Sequence, residues 1–250
     1  RLSSSVLVRP FIAPPRSLSV TRDAEPDVRT RVLAVVPEAQ AQLGKSVDAF
    51  RRRLDVETAA VAAVSGILLE DGEAADEAAM RARHHDLAIV GCPQTDGERR
   101  LIESVLFNSG RPVLLAPRQW TPRRIGSNVV VAWTPTREAS RALHEASDLI
   151  ADAVRVTALT VDMTSACDEC RNAGSDVVAH LARRGLDAKS CAIAPIGRTE
   201  GKAVLDHAHA IDADLVVMGG YGHSRMSEFI FGGMTREILG AATMPVLLAH

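Results

Sequence analysis

One glycine-rich segment, residues 219–235, holds the residue types best suited to chemistry. Glycine lets backbone N–H groups approach an anion, because no Cβ atom stands in the way. Gly232 and Gly233 directly precede a predicted helix, whose free N–H groups attract phosphate, and polar side chains nearby supply further donors. The predicted anion-binding residues of this segment are Gly219, Gly222, His223, Ser224, Arg225, Gly232, Gly233 and Thr235.

A purely structural interpretation of this segment stays open. In that interpretation the glycines only turn a tight loop, while Met226, Phe229, Ile230 and Phe231 fill a core or an interface. Other nucleotide motifs fail: residues 197–203 are one residue short of a P-loop and end in alanine where a hydroxyl is needed. Thr134-Pro135-Thr136 stands where a dinucleotide-binding fold would have G-x-G-x-x-G. The sequence therefore disfavours P-loop hydrolysis and dinucleotide chemistry.

Cys167 and Cys170 form a C-x-x-C pair, which a helix N-terminus would activate as a thiol switch. The alternative is two incidental helix cysteines, and no further pair completes the four ligands of a structural zinc site. The pairs His84/His85 and His207/His209 lack a third ligand, so no metal site is predicted. Four cysteines are too few for a disulfide framework, which favours a reduced, cytoplasmic setting.

Composition narrows the class of protein. The 250 residues are 46% hydrophobic and 24% charged, which is typical of a globular protein with a sizeable core. A net charge of −2 and an aromatic content of 3% disfavour nucleic-acid binding, which uses basic surfaces and stacking platforms. No apolar run approaches the roughly 20 residues that cross a bilayer, so no membrane role is expected.

Two stretches of the sequence occur twice. Residues 86–91 match residues 214–219 at an offset of 128, and residues 111–117 match residues 244–250 at an offset of 133. The five extra residues of the second copy fall in the unit that contains the glycine-rich segment, whereas the first copy has only residues 92–97 there, with one glycine. We therefore predict two tandem domains, residues 1–117 and 127–250, joined by a linker at 118–126.

Hydrophobic periodicity predicts alternating strands and helices in both copies. In the second copy the strands are 128–133, 154–161, 188–194, 215–218 and 245–249, and the helices are 137–151, 173–184, 200–210 and 234–241. In the first copy the strands are 4–8, 32–36, 58–69, 87–91 and 112–116, and the helices are 39–54, 73–83 and 99–108. Five such units predict an α/β fold with a doubly wound, five-stranded parallel sheet in each copy, the first copy being degenerate.

The pattern Gly219-x2-Gly222-x9-Gly232, between the strands Asp214–Met218 and Pro245–Leu248, resembles the universal stress protein family. The resemblance covers residues 127–250 well and residues 80–118 moderately. It implies a Rossmann-like sheet with strand order 3-2-1-4-5, ATP or AMP bound by the glycine loop, and pairing of domains through their last strands. Two positions depart from the family pattern: Gly233 replaces a Ser or Thr, and Thr134 replaces an acid that holds the nucleotide.

The resemblance implies a stress-response protein that binds an adenine nucleotide in its second domain and acts in regulation, with at most slow ATP hydrolysis. Each lost hydrogen bond is worth about 0.5 to 3 kcal/mol, so Thr134 and Gly233 predict a weakened affinity for the nucleotide. Mg2+ is expected only together with nucleotide. The first domain is expected to be a built-in partner, with strand 113–115 pairing with strand 246–248 to cover both sheet edges; a homodimer is the other assembly considered. The alternatives are a nucleotide-free interaction scaffold and a thiol sensor using Cys167 and Cys170.

Overall fold

The computed structural model describes residues 5–8, 63–65, 74–93, 95–117, 125–161, 168–221 and 233–250. The first half of the chain contributes four strands and two helices to this described part. They are β1 (Ser5–Val8), β2 (Ala63–Ser65), α1 (Ala74–Ala82), β3 (Leu87–Gly91), α2 (Asp96–Asn108) and β4 (Val113–Ala116). The strand predicted at 32–36 and the helix predicted at 39–54 lie outside the described residues.

The second half contributes five strands and four helices to the described residues, in strict alternation. They are β5 (Asn128–Ala132), α3 (Arg137–Glu145), β6 (Arg155–Val161), α4 (Asp168–Arg183), β7 (Ala188–Ile193), α5 (Glu200–Ala210), β8 (Leu215–Gly219), α6 (Gly233–Ala241) and β9 (Val246–Ala249). Helix α5 has the predicted bounds, whereas α3 ends six residues before its predicted end. The alternation that periodicity predicted in this half is confirmed.

The described strands form one sheet of nine in the order β2-β1-β3-β4-β9-β8-β5-β6-β7. Neighbouring strands are parallel within each half. The second half therefore has the order β7-β6-β5-β8-β9. An α/β architecture with a parallel sheet is thus correct, although the sheet runs continuously through both halves.

The two halves meet at an antiparallel pair of strands, β4 and β9. Val113 lies opposite Leu248, Leu114 opposite Leu247, and Leu115 opposite Val246. This register confirms the predicted pairing of the last strands. Because the pair is antiparallel, the carboxyl ends of the strands in the two halves point to opposite edges of the sheet.

Helices cover both faces of the sheet and bury two apolar clusters. Helices α1, α2, α5 and α6 pack over one face, on core residues that include Ile102, Leu106 and Ile238. Helices α3 and α4 pack over the other face, where Leu143 and Leu181 are buried. None of the helices in the described ranges combines the length and apolar character that spanning a bilayer requires.

The side chain of Asp214 fixes the start of the second half. This carboxylate is 5% exposed and accepts hydrogen bonds from the backbone N–H groups of Gly126 (2.8 Å), Ser127 (3.1 Å) and Asn128 (3.0 Å). Three donors that no strand partner satisfies are thereby paired at the beginning of β5. The register of the strand that leads to Thr134 is anchored at this point.

Candidate functional site

The predicted site residues that the structure describes lie at or beside the carboxyl edge of the second half. Strands β5 and β8 are parallel neighbours in which Ala132 lies opposite Met218, so both end at this edge. Thr134 follows β5 and is exposed, and Gly219 ends β8. The sheet therefore brings together the ends of two strands that are more than 80 residues apart in the sequence. In open α/β sheets this edge is where ligands bind.

Gly219 is in close contact with the first turn of helix α3. A Cβ atom at this position would lie 2.6 Å from the backbone N of Ala139 and 2.7 Å from the carbonyl carbon of Glu138. Both obstacles are backbone atoms, so a larger residue would have to push the helix away from the strand. Gly219 thus serves close packing of strand and helix in addition to any contact with an anion.

Gly220 and Tyr221 carry the chain away from β8 along a fixed path. The N–H of Gly220 donates to the carbonyl of Ala249 at 2.8 Å, and Nδ1 of His250 donates to the carbonyl of Gly220 at 3.1 Å. The N–H of Tyr221 donates to the hydroxyl of Thr235 at 3.4 Å. Thr235 is only 3% exposed. Its hydroxyl oxygen therefore ties the beginning of the glycine-rich segment to helix α6.

Gly233 begins helix α6 and is exposed. Among the described residues, no atom lies within 4 Å of the place where a Cβ atom would stand on it. The first turn of α6 contains no acidic residue. The first turn of α6 therefore presents no negative charge to an anion that approaches this helix end. The remaining predicted site residues lie outside the described residues: Gly222, His223, Ser224, Arg225 and Gly232.

The corresponding helix of the first half, α2, begins differently. The Thr95 side chain accepts a hydrogen bond from the Glu98 N–H at 3.3 Å, and the Glu98 carboxylate accepts one from the Thr95 N–H at 3.4 Å. Asp96 adds a second acid to the first turn. This capping box satisfies donors that an anion would need, and its two negative charges repel an anion.

Three residues near this edge were missed by the sequence reasoning. Phe107, near the end of α2, stacks on Tyr221 with ring centroids 4.8 Å apart and meets His250 edge-on at 4.6 Å. Glu103, one turn earlier, interacts with the Tyr221 hydroxyl, and burial raises the pKa of the Glu103 carboxyl. A tyrosine between two glycines was the available signal in the sequence.

Glu138 is the third residue of this kind, a buried acid in the first turn of α3. Burial opposes ionisation, but the hydrogen bond and charge of Arg137, a backbone hydrogen bond and the charge of His250 together outweigh it and lower the pKa of this carboxyl. The Arg137 guanidinium is therefore the partner of the Glu138 charge. The acid in contact with Gly219 is committed to a neighbour on its own helix.

The histidines and cysteines singled out in the sequence lie apart from this edge or outside the description. His85 contacts the carbonyl of Arg81 at 2.9 Å, and His209 contacts the hydroxyl of Thr243. Cys170 lies in the first turn of α4, whereas Cys167 lies outside the described residues. Within the described ranges, no three His, Cys, Asp or Glu side chains are grouped so that they could hold a metal ion.

Solved structures of other proteins share this fold. The chain resembles the crystal structure of a universal stress protein from Archaeoglobus fulgidus DSM 4304, with 15% identity, 99% of this chain and 96% of that chain covered, and a TM-score of 0.67. A structure from Pseudomonas aeruginosa UCBPP-PA14, also described as a universal stress protein, gives 14% identity, coverages of 98% and 92%, and a TM-score of 0.55. At these identities the two likenesses show a shared fold and nothing further.

A third structure, a universal stress protein from Archaeoglobus fulgidus in complex with dAMP, matches half of the chain. It has 22% identity, coverages of 50% of this chain and 99% of that chain, and a TM-score of 0.38. The dAMP belongs to that archaeal protein. No curated protein matches this sequence.

A search against family models matches one family, described as the universal stress protein family, over residues 127–250. The matched range contains β5 to β9, the close contact at Gly219 and the start of α6. The family resemblance drawn from the glycine pattern is thereby confirmed. Residues 127–250 form a domain of the universal stress protein family.

Proposed function

We propose that this protein binds an adenine nucleotide, ATP or AMP, at the carboxyl edge of residues 127–250 and acts in regulation of a stress response. The observation that carries the proposal is the contrast between the two corresponding helix starts. Helix α6 begins at the exposed Gly233 without a first-turn acid, whereas α2 is closed by Thr95, Asp96 and Glu98. Only the α6 start favours a phosphate.

The proposed site consists of the glycine-rich segment and the loop after β5. The phosphates would approach the backbone N–H groups at four glycines, Gly219, Gly222, Gly232 and Gly233. Thr134 would contact the sugar or base. His223, Ser224, Arg225 and Thr235 complete the proposed set of residues. The described part of this set, at Thr134, Gly219, Gly233 and Thr235, is consistent with such a role because it lies at or beside the ligand-binding edge.

The proposed role is binding and signalling, with slow ATP hydrolysis at most. Hydrolysis needs a base that orients water and an acid that holds magnesium. Glu138 contacts Gly219, but its carboxylate is buried and paired with Arg137. Because this acid is already paired, any Mg2+ would enter together with the nucleotide.

We further propose a tandem arrangement of residues 1–117 and 127–250 with a linker at 118–126. The order β7-β6-β5-β8-β9 supports a strand order of 3-2-1-4-5 in the second domain. The first domain would bind no nucleotide, because its capping box occupies the helix start. Its role is that of a permanent partner joined through β4 and β9.

The test restores a residue that the family pattern contains. Gly233→Ser adds a hydroxyl at a place where a Cβ meets no atom within 4 Å. One added hydrogen bond to phosphate should tighten ATP binding by about 2- to 10-fold, measured by isothermal titration calorimetry with ATP and AMP. Gly240→Ser is the matched control, because it is equally open and lies at the far end of the same helix.

Three outcomes decide the proposal. Tighter ATP binding by Gly233→Ser, with Gly240→Ser unchanged, supports a phosphate at the start of α6. Equal nucleotide affinities of the two variants would indicate that the nucleotide does not bind at the start of α6. Absence of binding at millimolar nucleotide, by the wild type and by Gly233→Ser alike, would refute nucleotide binding and favour the interaction scaffold.

A further inference from the structure

Helix α2 belongs to the first half, yet its end lies against the ligand-binding edge of the second half. A Cβ atom on Gly220 would lie 2.8 Å from Cδ2 of Leu106. The Phe107 ring packs at a tilt of 48° against Tyr221, with ring centroids 4.8 Å apart, and burial and the charge of Glu103 raise the pKa of the Tyr221 hydroxyl. Leu106 and Phe107 of one half thus contact the two residues that follow strand β8 in the other half, and Glu103 interacts electrostatically with the second of them.

The backbone at Tyr221 has the conformation that glycine adopts most easily. Its φ angle is 64°, in the left-handed region that a bulky residue enters at a cost in free energy. Glycines stand on both sides of it in the sequence, yet the strained position carries the single tyrosine of the chain. Contacts of the tyrosine ring must offset this cost, and the ring packs against Phe107 of α2.

The same two residues are tied to the second half by backbone contacts. Gly220 is held between Ala249 and His250, and the N–H of Tyr221 reaches the hydroxyl of Thr235 in α6. The His250 ring in turn meets Phe107 at 4.6 Å. A displacement of Phe107 would therefore reach Gly220 through His250 and reach Thr235 through Tyr221.

We propose that Phe107, supported by Glu103 and Leu106, is a positioning residue for the nucleotide site of the other half. It holds Gly220 and Tyr221 where the chain leaves β8, and this contact raises the nucleotide affinity of residues 127–250. The proposal rests on the proposed function for its ligand. It gives the first half a role beyond covering the edge of β9: it sets the affinity of a site that it does not form.

The first readout is binding of ATP and AMP to the full chain by isothermal titration calorimetry. Phe107→Ala should weaken binding by about 5- to 10-fold, the lower end of the usual coupling between sites. Phe107→Tyr keeps the ring and should stay within about twofold of the wild type. Met80→Ala is the matched control, because Met80 is 49% exposed on α1 of the same half and Phe107 is 44% exposed.

The second readout needs no nucleotide. Hydrogen exchange at the amides of Gly220 and Tyr221 reports how firmly the segment is held, and Phe107→Ala should accelerate it by about tenfold, while Met80→Ala should leave it unchanged. A general loss of stability would accelerate exchange throughout the second half, including the β5 and β6 amides. Acceleration confined to residues 219–221 supports positioning.

The outcomes separate this proposal from the proposed function. If the wild type binds nucleotide and Phe107→Ala binds it equally well, the positioning role is overturned and the proposed function stands. If the wild type binds none, the proposed function fails, and with it the effect on affinity. Hydrogen exchange then tests, without nucleotide, whether Phe107 holds Gly220 and Tyr221 in place. Unchanged exchange rates at these two amides in Phe107→Ala would overturn that role.

Discussion

At the scale of the residue, the Asp214 carboxylate ties strand β8 to the start of β5 through four hydrogen bonds. Replacing it with alanine leaves the N–H groups of Gly126, Ser127 and Asn128 without their acceptor in a buried place. We expect Asp214→Ala to lower the free energy of unfolding by about 2–4 kcal/mol, measured by urea denaturation.

The repeat offers a control for this prediction. Asp86 occupies the position in the first copy that Asp214 occupies in the second, but Asp86 is exposed. Asp86→Ala should change the free energy of unfolding by less than about 0.5 kcal/mol. Equal effects of the two substitutions would show that burial and hydrogen bonding at Asp214 contribute little.

At the scale of the element, strand β8 and helix α3 approach closely because residue 219 has no side chain. Gly219→Ala places a methyl group 2.6 Å from a backbone nitrogen of α3, so strand and helix must separate. We expect a loss of about 1–3 kcal/mol in the free energy of unfolding, measured by urea denaturation.

Gly240→Ala is the matched control, since it also replaces a glycine with alanine. Gly240 lies in the last turn of helix α6, and no atom of the described residues stands within 4 Å of the place of its missing side chain. Alanine favours the helix, so this variant should gain about 0.4–1 kcal/mol. A stable Gly219→Ala variant would mean that helix α3 adjusts without cost.

Periodicity and capping signals explain how much of the elements could be predicted. Repeated hydrophobic spacing identified the strands and helices of the second half, and the bounds of α5 were predicted to the residue. Helix α2 begins three residues earlier than predicted, because the capping box of Thr95 and Glu98 was not used. Helix α3 ends early, at Glu145, where the backbone tightens and the Ser147 N–H donates to the carbonyl of His144, three residues before it.

The sequence could predict only those parts of the candidate site whose residues lie close together in the chain. Glycines spaced along one segment are visible in the sequence, and Gly219 and Gly233 lie at the strand end and helix start that the pattern indicated. The contacts of Glu103 and Phe107 with Tyr221 join residues more than 110 positions apart. Such contacts depend on the antiparallel pairing of β4 with β9, and no local pattern encodes them.

At the scale of the whole molecule, the two halves share a core. Leu114 of β4 is 6% exposed and belongs to the apolar cluster under α3 and α4, which also includes Leu247 and borders Trp133. Truncating Leu114 to alanine should therefore destabilise the second half, by about 2–4 kcal/mol. Urea denaturation followed by Trp133 fluorescence, in a Trp120→Phe background, measures this effect.

Met80→Ala is the control for Leu114→Ala, because Met80 lies exposed in the first half. It should leave the Trp133 transition in place. A Trp133 midpoint that does not move in Leu114→Ala either would contradict the shared core and show that the halves unfold independently.

The joint between β4 and β9 has a further consequence because both strands belong to one chain. Pairing between separate subunits weakens on dilution, whereas strands linked in one chain meet at an effective concentration on the order of millimolar. The assembly of the two halves is thus independent of how much protein is present. One half is then free to diverge in sequence around its helix start, as α2 has, while its partner strand stays in place.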